Sequence, residues 1–178
     1  IGSRAYSYKP LIVKKLGSFC IKFYEKNKIA TVIKHLPGHG SALSDSHFKT
    51  PKITLSKKKL IANDFKAFKS VQSLFAMTAH CIYSSYDNKD TATHSKIVIN
   101  NVIRKHINFK GILISDDISM KSLKYNLNIN AKKAFQAGCN LVLHCNGNLA
   151  QMKKLVKVIP NINKFTQKKT SQFYKFLG

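Results

Sequence analysis

Four short apolar runs recur along the chain, each closing on polar residues: IATVIKHLPGH at 29–39, SLFAMTAHCIY at 73–83, GILISDD at 111–117 and CNLVLHCNG at 139–147. Short runs rich in Val, Ile and Leu that end in polar or turn-forming residues fit buried strands. Between them lie stretches of helix length. Residues 10–27 carry Leu11, Ile12, Leu16, Phe19, Ile21 and Phe23 on a mostly apolar face; 55–69 and 95–106 are similar, with Ser95 as a cap, and 130–137 stops at Gly138. A helix followed by four rounds of strand and helix predicts an α/β fold whose sheet is parallel and whose crossovers are right-handed. In such sheets chemistry gathers at the carboxyl ends of the strands, which is where the polar clusters fall. A small open doubly wound domain is the alternative, but LPGHGS at 36–41 has neither the GxGxxG spacing nor a P-loop Gly-Lys-Ser/Thr.

With 178 residues and 44% hydrophobic content, the chain is long enough for a domain with a sizeable core. No apolar run approaches the roughly 18 to 20 residues of a membrane span, so a soluble protein with no membrane partner is expected. A formal charge of +24 invites a nucleic-acid reading. Yet of 31 basic residues only Arg4 and Arg104 are arginine, the residue that reads bases and clamps phosphates, and the lysines are spread along the chain among many Asn. The charge implies nonspecific attraction to anions and no specific nucleic-acid partner. Cys20, Cys81, Cys139 and Cys145 form no CxxC pair and no dense framework, which fits reduced thiols in a cytoplasm. The chain opens on Ile1 rather than Met, so the lack of a signal peptide says little about compartment.

Acid is scarce and concentrated. Of seven acidic residues, Asp45, Asp116 and Asp117 fall within two short segments, HLPGHGSALSDSH at 35–47 and ISDDISM at 114–120. An Asp two residues from a His, as in Asp45-Ser46-His47, can fix the tautomer of the ring and raise its basicity, making a proton shuttle; a solvated loop is the competing reading. His35 and His39 are four apart, as in a helical zinc motif, but Pro37 and Gly38 lie between them and no Glu or Cys completes a ligand set, so no metal is expected. His39 suits a structural role in its loop. Asp116 and Asp117, adjacent on a strand, must point to opposite faces, so only one can enter a shared site. The apolar run before them argues for a carboxylate held by neighbours, with Lys34 a candidate. His80 and Tyr83 suit core packing or loop hydrogen bonds better than direct chemistry.

Taken together and in order, KHLPGHG, DSH, MTAHCIY, GILISDDISM and AGCNLVLHCN resemble the family 3 glycoside hydrolases, specifically the bacterial β-N-acetylhexosaminidases of cell-wall recycling, whose usual pattern is KHFPGHG, a DxH loop and SDDLSM. The likeness runs from IGSRAY at the start to about Asn146. It implies that Asp116 is the catalytic nucleophile, His47 an unusual general acid/base and Asp45 its orienting partner, with Arg4, Lys34 and His35 binding the sugar. It implies no cofactor, a muropeptide substrate bearing N-acetylglucosamine, and a retaining exo-β-N-acetylglucosaminidase. Leu36 for Phe, Ile118 for Leu and Thr91 where Pro is common are small departures.

The same resemblance implies a TIM (β/α)8 barrel, which typically needs about 250 residues. The four strands read here correspond to the last four units, so residues 1–150 form a partial TIM-barrel catalytic domain, the C-terminal half, and 151–178 a Lys-rich helical tail. The DQEGGRV-like segment of the first half, with its sugar-binding Asp and Arg, is missing. A longer parent protein, a separate N-terminal half-barrel polypeptide, and a split, decaying gene are the three explanations. An inactive fragment, or a subunit needing that partner, is therefore the rival to an active enzyme.

Overall fold

The computed structural model describes residues 2–44 and 49–178. Its elements follow the predicted alternation: α1 (Pro10–Lys26), β1 (Val32–Leu36), β2 (Lys52–Ile53), α2 (Lys57–Ala62), β3 (Phe75–Thr78), β4 (Ile82–Tyr83), a π-helix (Val98–His106), β5 (Ile112–Asp117), α3 (Leu127–Ala137), β6 (Leu141–Leu143), α4 (Leu149–Val156) and α5 (Lys164–Leu177). Four strands form one sheet in the order β1-β3-β5-β6, every pair parallel, and β2 pairs with β4 beside it. This is the α/β class with a parallel sheet that the strand-helix rhythm predicts. Consecutive sheet strands lie side by side, as they do in a barrel wall.

Local chemistry sets the helix limits. Pro10 stands at the start of α1, where its missing N–H costs nothing. Ser95 does act as a cap: its hydroxyl accepts from Val98 N at 3.2 Å and donates to Asp87 Oδ2 at 2.7 Å. The predicted helix that follows is wound as a π-helix, burying Val98, Ile99, Val102 and Ile103 together. The predicted helix over 55–69 ends early, at Ala62. Beyond it the chain turns so that the buried Asp64 carboxylate can take the Ser41 N–H at 2.9 Å and the Ser41 hydroxyl at 2.6 Å. The fourth predicted helix starts earlier than Asn130, because Asn126 caps it by accepting from Ile129 N. Asn130 is instead buried within α3 and donates to the Ile118 and Tyr125 carbonyls.

Two glycines are required by close approach. Gly38 has φ +145°, and a Cβ there would lie 2.7 Å from Asp64 Cβ. At Gly111, ahead of β5, a Cβ would lie 2.5 Å from Leu74 O and 2.6 Å from Ser73 O, both backbone atoms.

The main core joins Leu36, Phe65, Tyr83, Ile99, Val102, Ile103, Phe109 and Leu113, and a smaller cluster joins Ile118, Leu123, Ala131 and Leu155. The C-terminal helices are anchored to this body. Helix α4 straddles residues 150 and 151 and supplies Leu155, while Thr166 of α5 accepts from Asn140 Nδ2 at 3.1 Å and Phe173 meets Phe75 edge-on at 5.2 Å. The Arg104 guanidinium ties the same region together, donating to Phe109 O, Gly111 O and Asn140 Oδ1 between the Phe109 and Phe165 rings.

At the sheet's margins the packing is open. Among the described residues, strands β1 and β6 each have a strand partner on one side only. Helix α1 buries Ile21 alone, leaving Leu11, Phe19 and Phe23 at 59, 67 and 57% exposure. Among the described residues no helix is long and apolar enough to cross a membrane.

Candidate active site

The carboxyl ends of the four sheet strands bring together Lys34-His35 from β1, Thr78 and the following His80 from β3, Ser115-Asp116-Asp117 from β5, and His144 and Cys145 just past β6. The turn after β1 is compact. The Lys34–His35 and Leu36–Pro37 peptide bonds are cis, the fully buried Tyr83 hydroxyl donates to Gly38 O, and Asp64 ties down Ser41. Tyr83 thus has the core and loop role read from the sequence; burial holds its phenol well above the usual range.

The two adjacent carboxylates part company, as pleating requires. Asp117 is fully engaged: its carboxylate accepts from Ser119 N at 3.0 Å, Ser119 Oγ at 2.6 Å and Cys145 N at 3.2 Å, stapling the loops after β5 and β6. Asp116 accepts the Asp117 N–H on Oδ1 at 2.9 Å, and its Oδ2 lies 3.7 Å from His35 Nε2. Among the described residues the group facing Asp116 is therefore His35. Lys34 is exposed, and no described ion pair joins it to Asp116.

His35 is buried, and its ring meets the His39 ring at 5.7 Å and 63°. Burial is the main reason its pKa falls to about 4; the Asp116 charge opposes that fall, while His39, Lys34 and Arg4 add to it. At neutral pH the ring carries no charge, so its contact with Asp116 is that of a neutral imidazole rather than an ion pair. Arg4, exposed in the 3-10 turn Gly2–Arg4, is felt at His35 as a positive charge. Of the residues singled out from sequence, Asp116, His35, Lys34 and Arg4 thus gather in one region. Asp45 and His47 lie outside the described residues. Among the described residues no group of three His, Cys, Asp or Glu could hold a metal ion.

Two participants had escaped the sequence reading. Asp64 shapes the loop after β1, and its one signal was the rarity of acid in this chain. Thr93, whose hydroxyl lies 2.7 Å from His80 Nδ1 and 2.9 Å from Thr78 Oγ1, had none, since Thr carries no periodic or spacing signature.

A parallel strand-helix layer with polar residues gathered at the carboxyl ends of its strands defines a portion of an α/β barrel domain. The chain belongs to glycosyl hydrolase family 3, whose N-terminal domain matches residues 1–172. It is 33% identical over 168 residues to a beta-hexosaminidase of Haemophilus influenzae, covering 91% of this chain and 46% of the relative, and 34% identical over 169 residues to that of Photobacterium profundum, covering 92% and 49%. Among solved structures, NagZ from Neisseria gonorrhoeae in complex with N-trifluoroacetyl-D-glucosamine superposes with a TM-score of 0.84 at 28% identity, covering 97% of this chain and 50% of that one. The chain spans about half the length of the relatives it matches.

Proposed function

We propose that this chain is the catalytic C-terminal half of a retaining exo-β-N-acetylglucosaminidase that removes terminal N-acetylglucosamine from peptidoglycan turnover fragments in a bacterial cytoplasm. The observation that carries the reading is the state of Asp116. Of two neighbouring carboxylates at the end of β5, Asp117 accepts three hydrogen bonds, while Asp116, its side chain 19% exposed, has an Oδ2 that makes no hydrogen bond among the described residues and lies 3.7 Å from His35 Nε2. Asp116 attacks the anomeric carbon as the bond to the leaving sugar breaks, and His47, oriented by Asp45, protonates the departing oxygen. The same imidazole then deprotonates a water that displaces Asp116 and restores the enzyme. His35, neutral at pH 7, offers hydrogen bonds to sugar hydroxyls without competing for the charge of Asp116, and Lys34 and Arg4 line the rim. The chemistry calls for no cofactor.

Hydrolysis of a chromogenic β-N-acetylglucosaminide by the purified chain tests this. Asp116→Ala should abolish turnover, and activity unchanged by that substitution would refute the assignment. A second reading is favoured by the open edges of β1 and β6 and by the half-length match to relatives: the chain works only when an N-terminal half-barrel polypeptide closes the barrel. Recovery of turnover on adding such a half to an otherwise silent chain would select that reading, and aggregation without recovery would select an inactive fragment.

A further inference from the structure

We propose that His80 is a positioning residue for Asp116: its side chain replaces a missing rung of the β-ladder and fixes the end of β5 so that the carboxylate is presented at a set angle. The inference rests on the reading of Asp116 as nucleophile.

Backbone pairing holds this strand end on one side only: Asp117 pairs with Leu143 of β6, and Ile118 N donates to Leu143 O at 2.9 Å, while the β3 side is left without rungs. The pairing of β3 with β5 stops at Met77 and Ile114, and that of β5 with β6 is irregular between Ile114 and Asp117, where the Ser115 hydroxyl accepts from Leu143 N. Asp116 and Asp117 therefore lie past the regular ladder on the β3 side. His80, fully buried just beyond β3, spans that gap with Nε2 2.9 Å from Asp117 O.

The direction of each hydrogen bond follows from elementary valence. A carbonyl oxygen only accepts, so Nε2 carries the proton. Nδ1 is then bare and accepts from the Thr93 hydroxyl at 2.7 Å. With that proton committed, the Thr78 hydroxyl, 2.9 Å away, donates to Thr93 Oγ1; the other acceptor within reach of Thr93, Ala79 O, is farther at 3.3 Å. The result is a one-way relay from Thr78 through Thr93 and His80 to the Asp117 carbonyl, in which one tautomer is selected. Burial pushes the ring pKa down despite the Asp117 carbonyl bond and the nearby Asp116 and Asp117 charges, so the ring stays neutral and keeps that single N–H. Asp117 is thereby fixed by its carbonyl and its carboxylate, and its N–H holds Asp116 Oδ1. The remaining oxygen of Asp116 faces the site.

The test compares the full chain with His80→Phe, which keeps a ring and removes both hydrogen bonds, and His80→Gln, which keeps an N–H donor. One readout needs no turnover: the Asp117 amide proton is held by its hydrogen bond to Asp116 Oδ1, and NMR should show it exchanging slowly with solvent in wild type and His80→Gln but about 10-fold faster in His80→Phe. On a chromogenic β-N-acetylglucosaminide, His80→Phe should lower kcat by about 10- to 100-fold with KM within about twofold, and His80→Gln should recover most of it. Unchanged exchange of the Asp117 amide in His80→Phe overturns the proposal, as does unchanged kcat, or a loss of fold that His80→Gln shares. Full activity in Asp116→Ala would defeat the nucleophile reading itself, whereas an inactive Asp116→Ala beside a fully active His80→Phe would defeat only the positioning role.

Discussion

Replacing His35 with Gln should flatten the acid side of the chain's stability curve. Burial lowers the His35 pKa from 6.5 to about 4, so the folded state resists a proton that the unfolded chain accepts freely. Above pH 6.5 both states are neutral at this position and it adds no pH dependence. As pH falls through the window from 6.5 to about 4 the unfolded state binds more protons, and stability drops; below it the loss levels off. At pH 5 the difference comes to about 2 kcal/mol from this ring. His94 carries a shift of the same size, again led by burial and joined by the charges of His80 and Lys133, so wild type should lose about twice that between pH 7 and pH 5 from the two rings. Urea unfolding at half-unit pH steps measures it. In His35→Gln the loss between pH 7 and pH 5 should shrink by about 2 kcal/mol while the slope with urea stays constant. Comparing the two proteins at each pH removes the general repulsion expected of a chain of formal charge +24. Parallel stability curves for wild type and His35→Gln would refute the assignment of a buried, neutral His35.

Two further substitutions probe the scaffold. Asp64→Ala leaves the Ser41 N–H and hydroxyl without their shared acceptor and should cost about 2–4 kcal/mol by urea unfolding, since hydrogen bonds to a charged group are among the stronger ones; a loss below about 0.5 kcal/mol would show that the loop after β1 is held by other contacts. Gly111→Ala drives a Cβ against the backbone oxygens of Leu74 and Ser73, which cannot swing aside as a side chain would, and should cost about 1–3 kcal/mol with shifted amide signals across β3 and β5; an unchanged unfolding midpoint would count against the close approach.

Much of this architecture was legible in the residues. Apolar runs ending in polar residues located all four sheet strands, because short runs rich in Val, Ile and Leu bounded by polar and turn-forming residues favour a strand. Pro10, Ser95 and Gly138 marked helix boundaries through backbone chemistry that acts locally. What misled was local pattern overruled by distant partners. Helix α2 stops early because Asp64 is drawn to Ser41, 23 residues away, and Asn130 lies inside a helix because its amide serves the Ile118 and Tyr125 carbonyls. The π-helix left no mark in a pattern that also suits an α-helix.

By itself the sequence determined the α/β class, the parallel sheet and the polar segments that fall at the strand ends, since these follow from periodicity, turn residues and the placement of rare acids. Tertiary structure alone decided which neighbour each polar group meets. It set Asp117 to staple two loops, put a neutral His35 rather than Lys34 across from Asp116, and placed His80 where the β3 side of the ladder ends. Those choices depend on burial and on distances between residues remote in the chain, and neither quantity is carried by the order of residues along it.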